Sequence, residues 1–93
     1  MKKIDWNAEK NQRLRLERSI TFEDVLFVLQ SGGLLDDVVH PNQDKYPQQR
    51  VLVVKINDYA WLVPYVESET GIFLKTIIPS RKATRQYLGG EHE

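Results

Sequence analysis

The chain has 93 residues, of which 41% are hydrophobic and 28% charged, with a formal net charge of zero and no cysteine. This describes one globular domain over residues 1–93, able to bury about 60–65% of its unfolded surface around a single core. The lack of thiols excludes a disulfide framework and a thiolate metal site, and the neutral total argues against a general nucleic-acid coat.

The first element in chain order is a helix from an Asn7 cap to about Arg18, carrying Lys10, Arg13, Arg15 and Arg18 with little apolar periodicity. A loosely packed helix is expected there. The second is sharper, with Phe22, Val25, Leu26 and Leu29 at i, i+3, i+4 and i+7. Thr21 is placed to cap it and Ile20 to staple against Val25. Ser31-Gly32-Gly33 ends it, and a short strand at Leu35–Val39 leads into an irregular loop from His40 to Pro47. Loops of this length in small domains carry function often enough for His40 to be a candidate.

From Arg50 the period changes. Arg50–Ile56 and Tyr59–Val66 are rich in Val, Ile, Leu, Tyr and Trp, and Asn57-Asp58 between them reads as a tight hairpin turn. A second turn at Ser68–Gly71 and a third strand at Ile72–Ile78 complete an antiparallel sheet of three to four strands, with Pro64 marking an edge or a bulge. The strands are nearly continuous in apolar residues, so both faces should be covered, the helices on one side. Lys55 and Lys75 interrupt this pattern; either they line a shared groove or their stems snorkel at a strand edge. The fold class is α+β, with N-terminal helices, the sheet, and a short C-terminal helix.

That last helix is the most informative segment. In I-I-P-S-R-K-A-T-R-Q-Y, from Ile77 to Tyr87, Ser80 is the natural cap, which puts Arg81 and Lys82 in the first turn. A helix start is already partly positive, so cations there cost about 0.3–1 kcal/mol each unless an anion reverses the sign. Either both side chains reach into solvent or they hold a phosphate with the cap hydroxyl. The charge distribution points the same way. Residues 1–18 carry six Lys/Arg against three Asp/Glu, residues 19–49 one against five, and residues 50–88 six against three. A basic face built from both ends of the chain suits a focused polyanion.

Two further residue classes bear on function. Tyr59, Trp61 and Tyr65 alternate along one strand, an arrangement on which exposed bases could stack, but the same spacing packs a sheet against a helix, the reading preferred for Trp61. Trp6 is expected to pin the first helix onto the sheet. His92 lies in a polar tail and carries no role. There is no glycine-rich phosphate loop, G-x-S-x-G elbow, paired-histidine metal spacing or internal repeat, so neither cofactor nor metal is expected. No apolar run is long enough to span a bilayer, and the start, Met1-Lys2-Lys3-Ile4-Asp5-Trp6, lacks the hydrophobic stretch of a signal peptide; the expected compartment is the cytoplasm.

Taken together, Trp6-Asn7, Lys10, the I-T-F-E-D-V run at Ile20–Val25, Arg50 leading a hydrophobic strand and the terminal S-R-K-A-T at Ser80–Thr84 resemble the BrnT-type toxins. These are small ribonuclease-like proteins of bacterial type II toxin–antitoxin systems with a RelE-like fold. The corresponding family runs are V-S-F-E-E-A and A-R-K-A-T, and the order of motifs agrees along nearly the whole chain. The sequence also departs from the family. Glu17-Arg18-Ser19 stands where the family commonly has K-H-G, so arginine replaces a histidine, and Tyr87 stands where the final helix often holds a glutamate.

The resemblance implies a metal-independent RNA endonuclease that inhibits translation by attack of a ribose 2′-hydroxyl on the neighbouring phosphate. Such chemistry needs in-line geometry, cations for the transition state and groups that move protons. Arg81, Lys82 and, by resemblance, Arg50 are the cation candidates, with His40 and Tyr87 the proton-transfer candidates. Lys10, Arg13, Arg18, Lys55, Lys75, Ser80 and Arg85 are candidates for holding the RNA. The implied partners are a cognate antitoxin, such as a ribbon-helix-helix protein, and RNA in the form of mRNA on or off the ribosome, with no membrane. The competing reading is a non-catalytic partner-binding or regulatory module that keeps the toxin fold.

Overall fold

The computed structural model describes residues 3–89. Lys2 and the tail residues Glu91, His92 and Glu93 lie outside them. The fold is α+β, in the order β1 (Lys3–Trp6), α1 (Ala8–Arg18), α2 (Phe22–Gln30), β2 (Leu34–Val39), β3 (Gln49–Ile56), β4 (Tyr59–Glu67), β5 (Gly71–Leu74), β6 (Ile78–Pro79) and α3 (Arg81–Leu88). The sheet has six strands where three to four were expected, ordered β1-β5-β4-β3-β2 with β6 also paired to β4. It is not wholly antiparallel, because β1 runs parallel to β5, Ile4 opposite Ile72 and Trp6 opposite Leu74. Gly71 allows this pairing, since a Cβ there would collide with the carbonyl oxygen of Lys3.

Both N-terminal helices start on side-chain caps. Asn7 accepts from Lys10 N–H at 2.9 Å, and Thr21 forms a reciprocal capping box with Asp24. Asn11 joins the two helices, its carbonyl oxygen accepting from Phe22 N–H at 2.8 Å while its amide donates to Glu23 at 2.8 Å. Only Leu14 of α1 is buried and Leu16 is 76% exposed, the loose packing that its weak periodicity implied. In α2, Phe22 and Val25 are fully buried and share a core with Ile20. Trp6 stacks on Phe22 with ring centroids 5.5 Å apart, so it pins α2, not the first helix, to the sheet.

Asn57 and Asp58 take positive φ values of 54° and 61°, the mirror-image turn that a two-residue hairpin favours. The β3–β4 register places Leu52, Val54, Val63 and Tyr65 on the side of α1 and α2, where they form the main core with Leu14, Phe22, Leu74 and Ile77. Val53, Ala60 and Leu62 face the other way and pack with Ala83 and Tyr87 of α3. Helices therefore cover both faces, although α3 is too short to cover all of its side.

Pro64 sits in the central strand β4, not at an edge or in a bulge as its lack of an N–H suggested. Its position is possible because the neighbouring strand is interrupted there. The single strand expected over Ile72–Ile78 is split into β5 and β6, which pair with Tyr65–Glu67 and Trp61–Leu62 of β4 and leave Pro64 in the gap. Lys75 N–H donates to the Pro64 carbonyl at 2.8 Å, Ile77 turns into the core, and the Arg18 guanidinium takes the Ile77 carbonyl at 2.6 Å.

The chain leaves the sheet for α3 at Ala60. Ser80 N–H donates to the Ala60 carbonyl at 3.0 Å, and the buried Thr84 hydroxyl accepts from Ala60 N–H at 2.8 Å while donating to the Ser80 carbonyl at 2.8 Å. Replacing Thr84 with Val keeps the shape and strands a buried N–H, which costs about 1–3 kcal/mol. Urea denaturation should show that loss for Thr84→Val and a smaller one for Thr84→Ser, which keeps the hydroxyl.

Candidate functional site

α3 divides into two faces because Ala83, Thr84 and Tyr87 turn to the sheet while Arg81, Lys82, Arg85 and Gln86 stay outside. Its first turn contains no acidic residue. Ser80 caps it, its hydroxyl oxygen accepting from Ala83 N–H at 3.0 Å, which leaves the hydroxyl proton to donate elsewhere. The helix start thus combines free backbone N–H groups, a cap hydroxyl and two exposed cations.

A groove of about 210 Å³ runs along α3. Its floor is Val38, Val51, Val53 and Leu62, and Lys82, Gln86 and Tyr87 form the helical wall with Val39 and Pro41 opposite. Lys82, Ser80 and Tyr87 are therefore brought together, with Arg81 next to them at the helix start. The Tyr87 hydroxyl donates to Asp36 at 2.6 Å, tying α3 to the edge strand β2. That bond first, and burial second, push the phenol up, while the same bond and the Asp37 N–H hold the Asp36 carboxyl below the ordinary range.

Arg50 lies on the opposite face of the sheet. It pairs with Tyr65 across the β3–β4 ladder, its Nε is 3.2 Å from the Asp37 carboxylate, and its Nη2 donates to the Asp37 carbonyl at 3.0 Å. The Tyr65 hydroxyl bridges both oxygens of Asp37 at 2.9 Å, and burial first, then this carboxylate, raises its phenol. Adjacent residues of one strand thus serve opposite faces, Asp36 holding Tyr87 and Asp37 holding Arg50 and Tyr65. Neither aspartate was singled out in the sequence, where Asp-Asp in a short strand gives only the alternation as a signal.

The other candidates are dispersed. His40 follows β2, its Nδ1 accepting from Asn42 N–H at 3.0 Å and its ring 4.5 Å from that of Tyr46, one residue before the groove-lining Pro41. Lys10 and Arg13 lie on α1, across the sheet from the groove, and Arg18 is engaged with Ile77. Lys55 pairs with Asp58 at 3.6 Å on the α3 side, Lys75 sits 5.5 Å from the centre of the Phe73 ring, and Arg85 is exposed on α3. Trp61 donates to the Ile56 carbonyl at 3.3 Å and packs against the main core, and Tyr65 is 3% exposed, so neither ring offers a platform to a base. Among the described residues no group of three or more His, Cys, Asp or Glu side chains could hold a metal ion.

The Asp36–Tyr87 bond has a pH signature. A carboxyl held below its unfolded value of about 3.9 adds stability above that pH and loses it as pH falls through the lower folded value. Melting temperature in the parent should drop on acidification from about pH 4, and Tyr87→Phe should remove the Asp36 share of that drop; identical acid limbs would count against the bond. No family model matches the chain, and no curated protein or solved structure matches it.

Proposed function

We propose that this chain is the toxin of a type II toxin–antitoxin system, a metal-independent RNA endonuclease that acts in the cytoplasm on mRNA. The observation that carries the reading is the start of α3, where Arg81 and Lys82 stand with the Ser80 cap and no acidic residue in the first turn, beside an open groove. The order of sequence motifs shared with BrnT-type toxins supports it. No helix among the described residues is long and apolar enough to cross a membrane.

In this mechanism Arg81, Lys82 and the helix N–H groups stabilise the negative charge that builds on the phosphate as the 2′-hydroxyl attacks. The Tyr87 hydroxyl already gives its one proton to Asp36, so it fixes the groove wall, and the departing 5′-oxygen takes its proton from water. His40 accepts the 2′-hydroxyl proton. Arg50 supports the edge strand through Asp37. The antitoxin would silence this site by laying carboxylates against Arg81, Lys82 and Arg85 and apolar side chains into the groove.

One observation favours the second reading, a non-catalytic partner-binding module. Tyr87 and Arg50 are both engaged by aspartates, and Arg18, which stands at the family's histidine, is spent on the Ile77 carbonyl. Expression without antitoxin separates the two. The ribonuclease reading expects growth arrest with cleaved transcripts, whereas normal growth with intact transcripts at a verified level of soluble protein selects the module.

Arg81→Ala/Lys82→Ala should abolish toxicity, since one oxyanion-stabilising group supplies about 2.7–4 kcal/mol. Its melting temperature should equal or slightly exceed the parent's, because two cations leave a positive helix end. Arg15→Ala/Lys45→Ala controls for charge alone. Retained toxicity in a destabilised double variant would remove Arg81 and Lys82 from the site.

A further inference from the structure

α3 covers only part of its face of the sheet. Beyond Leu62, the same side of β4 continues through Pro64 to Val66, which lies opposite Phe73 of β5, which in turn lies opposite Asp5 of β1. There the surface dips into an open slot of about 640 Å³, whose lining includes Lys3, Asp5, Gln48, Val66, Glu67 and Phe73. At about 3.4 Å per residue, Val66 is some 14 Å along β4 from Leu62, the floor of the α3 groove.

The chemistry of the slot suits one kind of occupant. Phe73 is 36% exposed on a sheet face, a ring of the kind that stacks unpaired bases. Lys75 holds an ammonium 5.5 Å from the centre of the same ring, within reach of the phosphate of a nucleotide stacked there, and Lys3 adds a second cation at the rim. Asp5 accepts from Trp6 N–H at 2.9 Å at one of its lone-pair sites, which leaves both oxygens able to accept from a ligand. A carboxylate only accepts, so it selects a base edge that presents adjacent donors, as guanine does with N1–H and N2–H.

We propose that this slot is a nucleobase subsite, stacking a guanine of the RNA strand on Phe73 and reading its donor edge with Asp5. The inference rests on the ribonuclease reading for the choice of RNA as ligand. It adds a base-specific contact at a distance from the cleaved phosphate, and hence a sequence preference on one side of the cut.

The test is titration of the isotope-labelled full chain with guanosine 5′-monophosphate, followed by amide shifts. Shifts should centre on Val66, Ile72 and Phe73. Phe73→Ala should weaken binding about tenfold. Phe73→Leu, which keeps apolar bulk and removes the ring, should do the same, and Phe73→Trp should retain affinity. Asp5→Asn should erase about a tenfold preference for guanosine over adenosine monophosphate. Arg81→Ala/Lys82→Ala should leave the slot shifts unchanged. Slot binding in a protein that cuts no RNA supports the subsite and removes the ribonuclease reading. RNA cleavage with no nucleotide shift at Val66, or with Phe73→Leu binding as the parent does, overturns the subsite and leaves the ribonuclease standing.

Discussion

The arrangement of this molecule depends on how the backbone of Ala60 is satisfied. Its N–H and carbonyl point away from β3 at the place where β6 ends, so both would be buried and unpaired without a further strand. The first turn of α3 supplies the partners instead, Ser80 N–H taking the carbonyl and the Thr84 hydroxyl the N–H. A helix start is thereby hydrogen-bonded into a sheet at a fixed position. Ala60 and Ala83 are small enough to permit the approach, and both are buried there. The cations at Arg81 and Lys82 inherit a rigid origin from these bonds, although both side chains lie in solvent.

A second constraint comes from β2, which has a neighbour on one side only. Its two aspartates hold opposite faces, and the difference between them matters for chemistry. Asp37 neutralises Arg50 on the face that the strand register assigns it, away from the groove, whereas Asp36 fixes the ring of Tyr87 within the groove wall. On the α3 face Arg81 and Lys82 stand exposed at the helix start, while on the other face Asp37 pairs with Arg50.

Several features were legible because local rules determine them. The spacing of Phe22, Val25, Leu26 and Leu29, the Thr21 cap and the Asn57-Asp58 turn each act within one or two turns of chain, and each is where local chemistry put it. What escaped is long-range. β1 is four residues whose pairing with β5 spans most of the chain, and its alternation of Ile4 and Trp6 is too short to stand out. The break at residues 75–77 depends on where Pro64 falls in a neighbouring strand, and Pro64 looked like an edge marker only because that neighbour was assumed continuous. Alternation assigns Trp61 and Tyr65 to one face and Phe73 to the other, but not which face the helices cover. Helix cover buries Tyr65 and half-buries Trp61 and leaves Phe73, on the other face, exposed. The same ambiguity separates Arg50 from Lys82.

The irregular start of β2 has a mechanical meaning. Leu34 pairs with Val54 and Asp36 with Val53, so Leu35 is an extra residue in the strand. Leu35 packs with the α3 cluster, and Asp36, its neighbour, holds Tyr87 on that same helix. A regular strand sends consecutive side chains to opposite faces and could not deliver both. The posture of α3 is thus written into the kink of an edge strand. Straightening that edge by laying another strand along it would withdraw either the apolar contact or the carboxylate, so sheet extension at β2 and seating of α3 compete for the same few residues.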